Sequence, residues 1–214
     1  MALISLTEEA EMDSERVRLV EELCGLGVPL NSLHLAVLSS AFRNVIAPKR
    51  IAWMSLRSRR PQPALVGRYL DRIQGELEEC ALRGVRAVER AVRAVGCEED
   101  VVFCCRLKGD FFHYMVENLE EGERRRALCV QGEESYAEGV ARASGLPLLH
   151  PARLGILLNY CNFLHQALQE TPRAISLTQE VLRTALPLSL QHPPKDSQYL
   201  LSLLSDNLTL WMED

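Results

Sequence analysis

The chain has 214 residues, 47% of them hydrophobic and 25% charged, and a formal net charge of -5. That length allows one large domain or two small ones, and the mild acidic excess argues against a general nucleic-acid binder, which would carry a strongly basic stripe. No apolar run reaches the ~18–20 residues of a membrane span, and the N-terminus lacks the basic and apolar regions of a secretory signal.

Apolar residues recur at helical spacing in the first half of the chain. Gly25 and Gly27 separate a first pair of helices, and residues 33–58 follow with the pattern of an amphipathic helix. Pro61 marks a polar loop. The next helix is predicted over residues 76–95, where one stripe comprises Leu77, Cys80, Ala81, Val85, Val88, Val92 and Val95.

The second half of the chain continues this pattern. Gly96 ends one helix, and the acidic residues that follow it suit the positive end of the next. Further helices are predicted over 100–119, 152–169, 172–190 and 196–211. Because no window alternates strictly between apolar and polar residues, we expect no strands. About nine helices joined by short loops predict an all-α fold in which consecutive helices pack antiparallel.

The cysteines and histidines do not follow a metal-binding or disulfide pattern. Seven cysteines are an odd number, and no pair has CxxC spacing, so we expect reduced thiols that pack as small apolar residues. His150, His165 and His192 have no partner at metal-ligand spacing and are interpreted as surface or capping residues. We therefore expect neither a metal nor another cofactor.

Sequence motifs for catalysis are missing as well. There is no Gly-rich phosphate loop, no Gly-x-Ser-x-Gly elbow and no HExxH, and nothing pairs a nucleophile with a base. We therefore expect no catalytic residues and no enzymatic activity.

Cationic residues are placed so that they could meet at one anion. Arg43 and Arg50 are seven residues apart, on one face of one predicted helix. Arg106 and His113 have the same separation on another helix, and Tyr114 follows directly. Guanidinium groups converging from two helices would match the oxygens of a phosphate. Spacing alone does not distinguish such a pocket from ordinary solvated helix faces.

Four segments containing these residues resemble the 14-3-3 family. FRNVIAPKRIAW (42–53) is similar to the segment that supplies two phosphate-binding cations, and RLKGDFFHYMVE (106–117) to the segment with an Arg-Tyr pair. RLGILLNYCNF (153–163) is similar to the segment with a groove asparagine, and KDSQYLLSLLSDNLTLW (195–211) to the C-terminal signature. The similarity covers nearly the whole chain with compatible spacing between the segments.

The resemblance implies one domain over residues 1–214, a cup of about nine antiparallel helices with TPR-like stacking and an amphipathic groove. Residues 1–60 would carry the dimerisation and basic-pocket helices, and residues 61–214 would form the groove. Phosphate would be bound by Arg43, in place of a lysine, and by Arg50 and Tyr114. The implied groove residues are Arg106, Leu158, Asn159, Asn162, Gln166, Leu200, Leu203, Asn207, Leu210 and Trp211.

Within that groove, the resemblance assigns different roles to different side chains. Asn159 and Asn207 match asparagines that hydrogen-bond the peptide backbone, so the ligand would be extended. The apolar wall would consist of Leu158, Leu200, Leu203 and Leu210, while Trp211 would contact the peptide and Arg106 would be a cationic groove position.

Several residues depart from the family pattern. Asn162 replaces an apolar wall residue, Tyr199 a leucine, and Gln166 a glutamate. Pro48 falls between the two arginines inside a predicted helix, where it removes a backbone donor and should kink the helix. His113 stands in place of the second phosphate-binding arginine.

The exchange at His113 motivates a hypothesis about phosphate binding. Imidazole is shorter than guanidinium, has two donors rather than five, and is only partly charged at neutral pH. Asp110 and Glu117 lie three residues before and four after it and would favour imidazolium. Phosphate affinity would then be weakened and pH-dependent through His113. The alternative is that His113 has turned away and Arg106 compensates.

Dimerisation is also implied by the resemblance. The matching interface residues are Leu6, Ala10, Glu15, Tyr69 and Arg72, with Glu15 and Arg72 forming one inter-subunit ion pair. Met12 replaces the basic partner of Glu76, so a second ion pair would be lost. Ala52 stands in place of a serine whose phosphorylation controls dimerisation in many relatives.

These residues are compatible with three functions. The favoured one is a phosphoserine/phosphothreonine-binding adaptor that clamps phosphorylated client proteins and regulates signalling, as a homodimer or heterodimer, in the cytoplasm with nuclear shuttling left open. The alternative is a helical scaffold for unphosphorylated or acidic peptides, favoured by His113 and Pro48. The third function, an enzyme with its site on a helical frame, is the least expected of the three. Nucleic acid and membranes are not expected partners.

Overall fold

The described part of the chain consists almost entirely of helices. The computed structural model describes residues 12–58, 64–189 and 194–213; these form eight helices, and their extended pairing is confined to one isolated bridge between Leu30 and Val95. The predicted all-α fold is confirmed, with eight helices in these ranges against about nine expected for the whole chain. The helices are α1 (Asp13–Gly25), α2 (Ser32–Arg57), α3 (Ala64–Ala91), α4 (Glu98–Val116), α5 (Glu123–Ala143), α6 (Pro151–Gln166), α7 (Thr171–Ser189) and α8 (Lys195–Glu213).

Local side-chain caps fix where two of these helices begin. Asn31 accepts a hydrogen bond from the His34 N–H at 3.2 Å, and the Nδ1 of His34 accepts one from the Asn31 N–H at 3.2 Å, which makes a reciprocal capping box for α2. His150 caps α6 by accepting from the Ala152 N–H at 3.2 Å, with proline at the first helical position. The interpretation of His150 as a capping residue is thus confirmed, whereas His192 lies outside the described residues.

The α2 helix passes through its proline without ending. Helical structure is continuous from Ser32 to Arg57, and Pro48 lies inside it on an exposed position. The kink expected at Pro48 stays a prediction.

The end of α3 differs from the sequence pattern. The apolar stripe continues to Val95, but α3 ends at Ala91, and the backbone N–H of Leu30 donates to the carbonyl of Ala94 at 2.9 Å. Val92 lies in the turn that follows the helix and keeps a helical hydrogen bond to Val88, whereas Val95 pairs in extended form with Leu30. The helix also begins earlier than predicted, at Ala64.

Contacts divide the chain into two compact units. The first comprises Met1–Gly96 with Asn118–Glu120, and the second comprises Cys97–Glu117 with Glu121–Asp214. The expectation of a single domain over the chain stays a prediction.

Helices α1, α2 and α3 make up the first unit and alternate in direction. Asn44 donates to Asp13 at 3.2 Å, and Arg16 donates to Ser40 at 2.9 Å, so α1 and α2 run antiparallel. Between α2 and α3, Lys49 pairs with Glu76 at 2.6 Å. Further along α2, an apolar cluster joins Trp53 to Leu70 and Ile73 of α3, which gives the same antiparallel order.

Helices α4 to α8 make up the second unit and also alternate in direction. Arg142 near the end of α5 pairs with Glu98 at the start of α4, at 3.4 Å. One apolar cluster joins α4, α5 and α6, and a second joins α6, α7 and α8. Across the described ranges, no helix combines the length and the apolar character that crossing a bilayer requires.

Glycines allow α5 to pack unusually close to its neighbours. A Cβ atom added to Gly139 would meet the side chain of Ile156 and lie 2.7 Å from the Cβ of Cys105. A Cβ on Gly132 would lie 2.8 Å from the ring of Phe163, and one on Gly109 of α4 would lie 2.7 Å from the ring of Tyr136. The α5 helix therefore meets α4 and α6 through small residues and aromatic rings rather than through a regular apolar stripe.

A methyl group at the α5 contact should destabilise the fold. We expect Gly139→Ala to lower the free energy of unfolding by about 1–3 kcal/mol, because overpacking forces neighbouring side chains aside. Gly75→Ala is the matched control: Gly75 is exposed inside α3 with nothing near its missing Cβ, and alanine there should raise stability by about 0.4–1 kcal/mol. Urea unfolding followed by circular dichroism measures both; equal effects would contradict the close packing of α5.

Candidate functional site

A row of polar contacts lies between α4 and α6 in the second unit. Asp110 of α4 accepts hydrogen bonds on one carboxylate oxygen from the hydroxyl of Tyr136, at 2.6 Å, and from Nδ2 of Asn159, at 2.8 Å. Tyr136 is fully buried, so its hydroxyl has no water partner to exchange for the carboxylate. The Asn159 amide is consequently held in one orientation, with its carbonyl oxygen and second N–H left for other partners.

Arg106 lies one turn earlier in this row. Its guanidinium stacks over the ring of Phe103, with 4.9 Å between Cζ and the ring centroid. On α6, a Cβ added to Gly155 would lie 3.0 Å from Nη1 of Arg106. Gly155 thus gives the guanidinium space against α6, one turn before Asn159.

Asn162 and Asn207 form a hydrogen bond between α6 and α8. Nδ2 of Asn207 donates to Oδ1 of Asn162 at 2.8 Å, and both side chains are half-buried. Asn159 and Asn162 are three residues apart and so lie on the same side of α6. The structure therefore brings together two amides that the sequence assigned to the groove, one from each of two helices.

The proposed apolar wall is continuous over three of its four leucines. Leu158 is buried in the cluster shared by α6, α7 and α8, and the half-buried Leu200 and Leu203 pack against that cluster. Leu210 is instead 59% exposed. Gln166 at the end of α6 is also exposed.

Trp211 is largely covered by protein. It is 7% exposed and stacks on the ring of His165 with 5.0 Å between centroids. His165 in turn lies 3.1 Å from the hydroxyl of Thr171. The indole is thus fixed by its neighbours, and its contact with a peptide stays a prediction.

His113 and Tyr114 follow Asp110 on α4 and are both half-buried. The imidazole of His113 meets the ring of Phe163 edge to face, with 5.4 Å between centroids. Tyr114 makes a similar contact with Phe111 at 6.4 Å. The hydrogen bonds of Asp110 go to Tyr136 and Asn159, so its charge is shared with those groups.

Arg43 and Arg50 belong to α2 and hence to the first unit. Arg43 is exposed and Arg50 is half-buried. Because His113 and Tyr114 belong to the second unit, the meeting of all four at one phosphate stays a prediction.

The residues expected at a dimer interface make ion pairs within their own chain. Glu15 pairs with Arg18, which holds the pKa of that carboxyl below its usual value. Arg72 donates to Glu76 at 2.8 Å, and Glu76 also pairs with Lys49. Glu76 was expected to lack a basic partner because Met12 stands at that position, but within its own chain it has two cationic neighbours. Tyr69 is 50% exposed, while Leu6 and Ala10 lie outside the described residues.

Comparison with known proteins assigns the chain to a family. The sequence model of the 14-3-3 protein matches residues 3–212. The chain belongs to the 14-3-3 family. It is 30% identical to a 14-3-3-like protein of Nicotiana tabacum, over 99% of this chain and 89% of the relative. It is 28% identical to 14-3-3-like protein B of Vicia faba, over 99% and 86%, and 27% identical to 14-3-3-like protein 2 of Caenorhabditis elegans, over 98% and 89%.

Membership in the 14-3-3 family gives the general class of function. Proteins of this family are adaptors rather than enzymes, and membership supports a general role as a phosphopeptide-binding scaffold. Members bind phosphorylated client proteins and form dimers in general. Identities of 27–30% make this chain a divergent member.

Three residues that contact the predicted site residues were not identified from the sequence. Tyr136 donates to Asp110, Phe163 packs against His113, and His165 stacks on Trp211. Tyr136 had no signal of its own, since its helix lacks an apolar stripe. His165 is three residues after Asn162, a spacing that could have placed it beside the groove asparagines.

Tyr160 of α6 is a second tyrosine with polar partners, and it lies next to Tyr136. Tyr160 stacks on Tyr136 with 5.8 Å between centroids, accepts from Nη2 of Arg173 at 2.7 Å, and donates to Glu133 at 3.4 Å. Burial raises the pKa of Tyr160 to about 12, although the nearby guanidinium of Arg173 acts in the opposite direction. The phenol is therefore neutral in the folded protein over a wider pH range than in the unfolded chain.

Stability should fall at alkaline pH partly through this phenol. Between about pH 10 and 12 the unfolded chain loses the tyrosine proton while folded Tyr160 keeps it, so the free energy of unfolding falls as pH rises. We expect a shallower fall in Tyr160→Phe than in the wild type, measured by urea unfolding across this range. Tyr199→Phe, at a position that is 66% exposed, is the control and should follow the wild type. Identical slopes in all three proteins would show that Tyr160 does not contribute.

Proposed function

We propose that this 14-3-3 protein is a phosphoserine/phosphothreonine-dependent adaptor that holds an extended segment of a client protein. The observation that carries the proposal is a pair of oriented amides, Asn159 and Asn207, in the second unit. Beside them lie the leucines Leu158, Leu200 and Leu203. Asn159 and Asn207 each have one amide hydrogen bonded to protein, to Asp110 and Asn162 respectively. Their orientation is therefore set before a ligand binds, which lowers the entropic cost of binding.

The free groups of these amides suit a peptide backbone. Each asparagine retains a carbonyl oxygen that can accept and an N–H that can donate. An extended peptide offers alternating N–H and C=O groups that are not used in internal hydrogen bonds. Leu158, Leu200 and Leu203 would take apolar side chains of the same segment.

Recognition of the phosphate is proposed to rest on Arg43, Arg50 and Tyr114, with His113 in a weaker role. Seven residues span about 10.5 Å along a helix, a distance that two long guanidinium side chains can close around one anion. Guanidinium forks bind phosphate oxygens in bidentate fashion, and the tyrosine hydroxyl adds a donor.

The protein is further proposed to act as a cytoplasmic homodimer or heterodimer, with residues 1–214 forming a single domain. The family match spans both compact units, and members of the family form dimers in general. Two grooves on one dimer would raise the effective concentration of a second phosphosite on the same client. Buried thiols such as Cys104 and Cys161 suit a reducing compartment.

Removing one proposed phosphate ligand should weaken binding only to the phosphorylated peptide. We expect Arg50→Gln to reduce affinity for a phosphoserine peptide by at least about tenfold, since a charge-assisted bidentate contact is lost. Arg86→Gln, at an exposed position on α3, is the matched control and should bind as the wild type does. Fluorescence polarisation with one peptide in phosphorylated and unphosphorylated form measures both. If the wild type binds the two forms equally, the proposed function is wrong.

The alternative function is a scaffold for unphosphorylated or acidic peptides. His113 favours it, because an imidazole has at most two N–H donors for a phosphate where a guanidinium has five, and this ring also packs against the apolar ring of Phe163.

Restoring the family arginine discriminates between the two functions. If the site binds phosphate, His113→Arg should raise phosphopeptide affinity about fivefold through a permanent charge and additional donors. Affinity for the unphosphorylated peptide should stay unchanged, which serves as the internal control of the same polarisation assay. An equal gain for both peptides would favour the scaffold for unmodified peptides.

A further inference from the structure

We propose that the hydrogen-bonded pair Asn162–Asn207 makes this groove select a client side chain that carries a hydrogen-bond-accepting oxygen, at the ligand position that lies over Asn162. This inference rests on the proposed function, because it concerns the peptide in the same groove. It identifies Asn162 as a specificity-determining residue and the preferred ligand as one with serine, threonine, asparagine or a carboxylate at that position.

The position of the pair within the apolar wall is the first reason. Asn162 lies one helical turn after Leu158, and Asn207 lies one turn after Leu203. Leu158 is buried and Leu203 is half-buried in the same cluster. The 2.8 Å bond between the two asparagines therefore places a polar patch in continuity with apolar surface contributed by the same two helices.

The remaining donors of Asn162 are the second reason. Its amide nitrogen has no hydrogen-bond partner among the described residues, while its Oδ1 is used by Asn207. If the two amides were both turned around, Asn162 would donate one hydrogen to Asn207 and still keep one. In either arrangement at least one N–H of Asn162 is left for the ligand.

The free energy lost when a ligand covers that N–H determines which client side chain is preferred. An apolar side chain placed over Asn162 would remove water from the amide without replacing the lost hydrogen bond. An oxygen-bearing side chain of the same shape would accept from the amide. Binding of the two ligands should then differ by about tenfold, the range expected when a buried donor is left unsatisfied.

Valine and threonine provide the matched ligands for the test, since they share a shape and differ in one hydroxyl. A phosphoserine peptide is synthesised with either residue at each flanking position in turn, and affinities for the full chain are measured by fluorescence polarisation. We expect one flanking position at which the threonine peptide binds the wild type about tenfold more tightly than the valine peptide. Asn162→Val should abolish or reverse this preference.

The control variant is Thr209→Val, which removes a hydroxyl from an exposed position of the same helix as Asn207 and should keep the wild-type preference. Circular dichroism melting checks that each variant folds. If Asn162→Val does not fold, Asn162→Ala removes the same amide with less bulk and is used in its place.

The outcomes separate this inference from the proposed function. If valine and threonine peptides bind alike at every position while phosphorylation still strengthens binding, the inference is overturned and the proposed function stands. If phosphorylation has no effect, the proposed function fails, and the comparison is made on the unphosphorylated peptides. A threonine preference that is lost in Asn162→Val then supports the role of the amide pair, and equal binding overturns it.

Discussion

The packing of the second unit depends on Tyr136 of α5, which is buried where α5 meets α4 and α6. Its ring occupies the space above Gly109 on α4 and stacks on Tyr160 of α6, while its hydroxyl donates to Asp110. A shift of α5 would disturb these contacts, since the ring would clash with its neighbours and the hydroxyl would lose its partner in a site without water. Burial also raises the pKa of this phenol, so it remains a neutral donor.

This constraint extends to a side chain of the proposed groove. Asp110 holds Asn159 of α6 through the same oxygen that accepts from Tyr136, so the packing of α5 also fixes the position of that amide. Further along α6, Asn162 and Asn207 orient each other without help from the core. A binding surface that is ordered in this way gains affinity because fewer side-chain rotamers are lost when a ligand binds.

The departures that the resemblance implies would alter the polarity of the proposed groove more than its architecture. By that resemblance, His113 stands in place of a permanent cation, and Asn162 stands in place of an apolar residue. Neither side chain disturbs the helices, because each packs against a compatible neighbour, the ring of Phe163 or the amide of Asn207. Such changes modify what a groove prefers while leaving the scaffold intact.

Sequence patterns by themselves determined the all-helical fold and most helix positions, since apolar spacing and end signals act locally. They did not predict α5, where Gly132 and Gly139 replace an apolar stripe, or the early end of α3, where Val95 pairs with the distant Leu30. The resemblance assigned Asn159, Asn162 and Asn207 to the groove, but only the tertiary structure decided that the last two bond each other and that Asp110 holds the first. Asn162 and Asn207 lie 45 residues apart along the chain, and Asp110 and Asn159 lie 49 apart. Helix packing, rather than local spacing, therefore selects each partner.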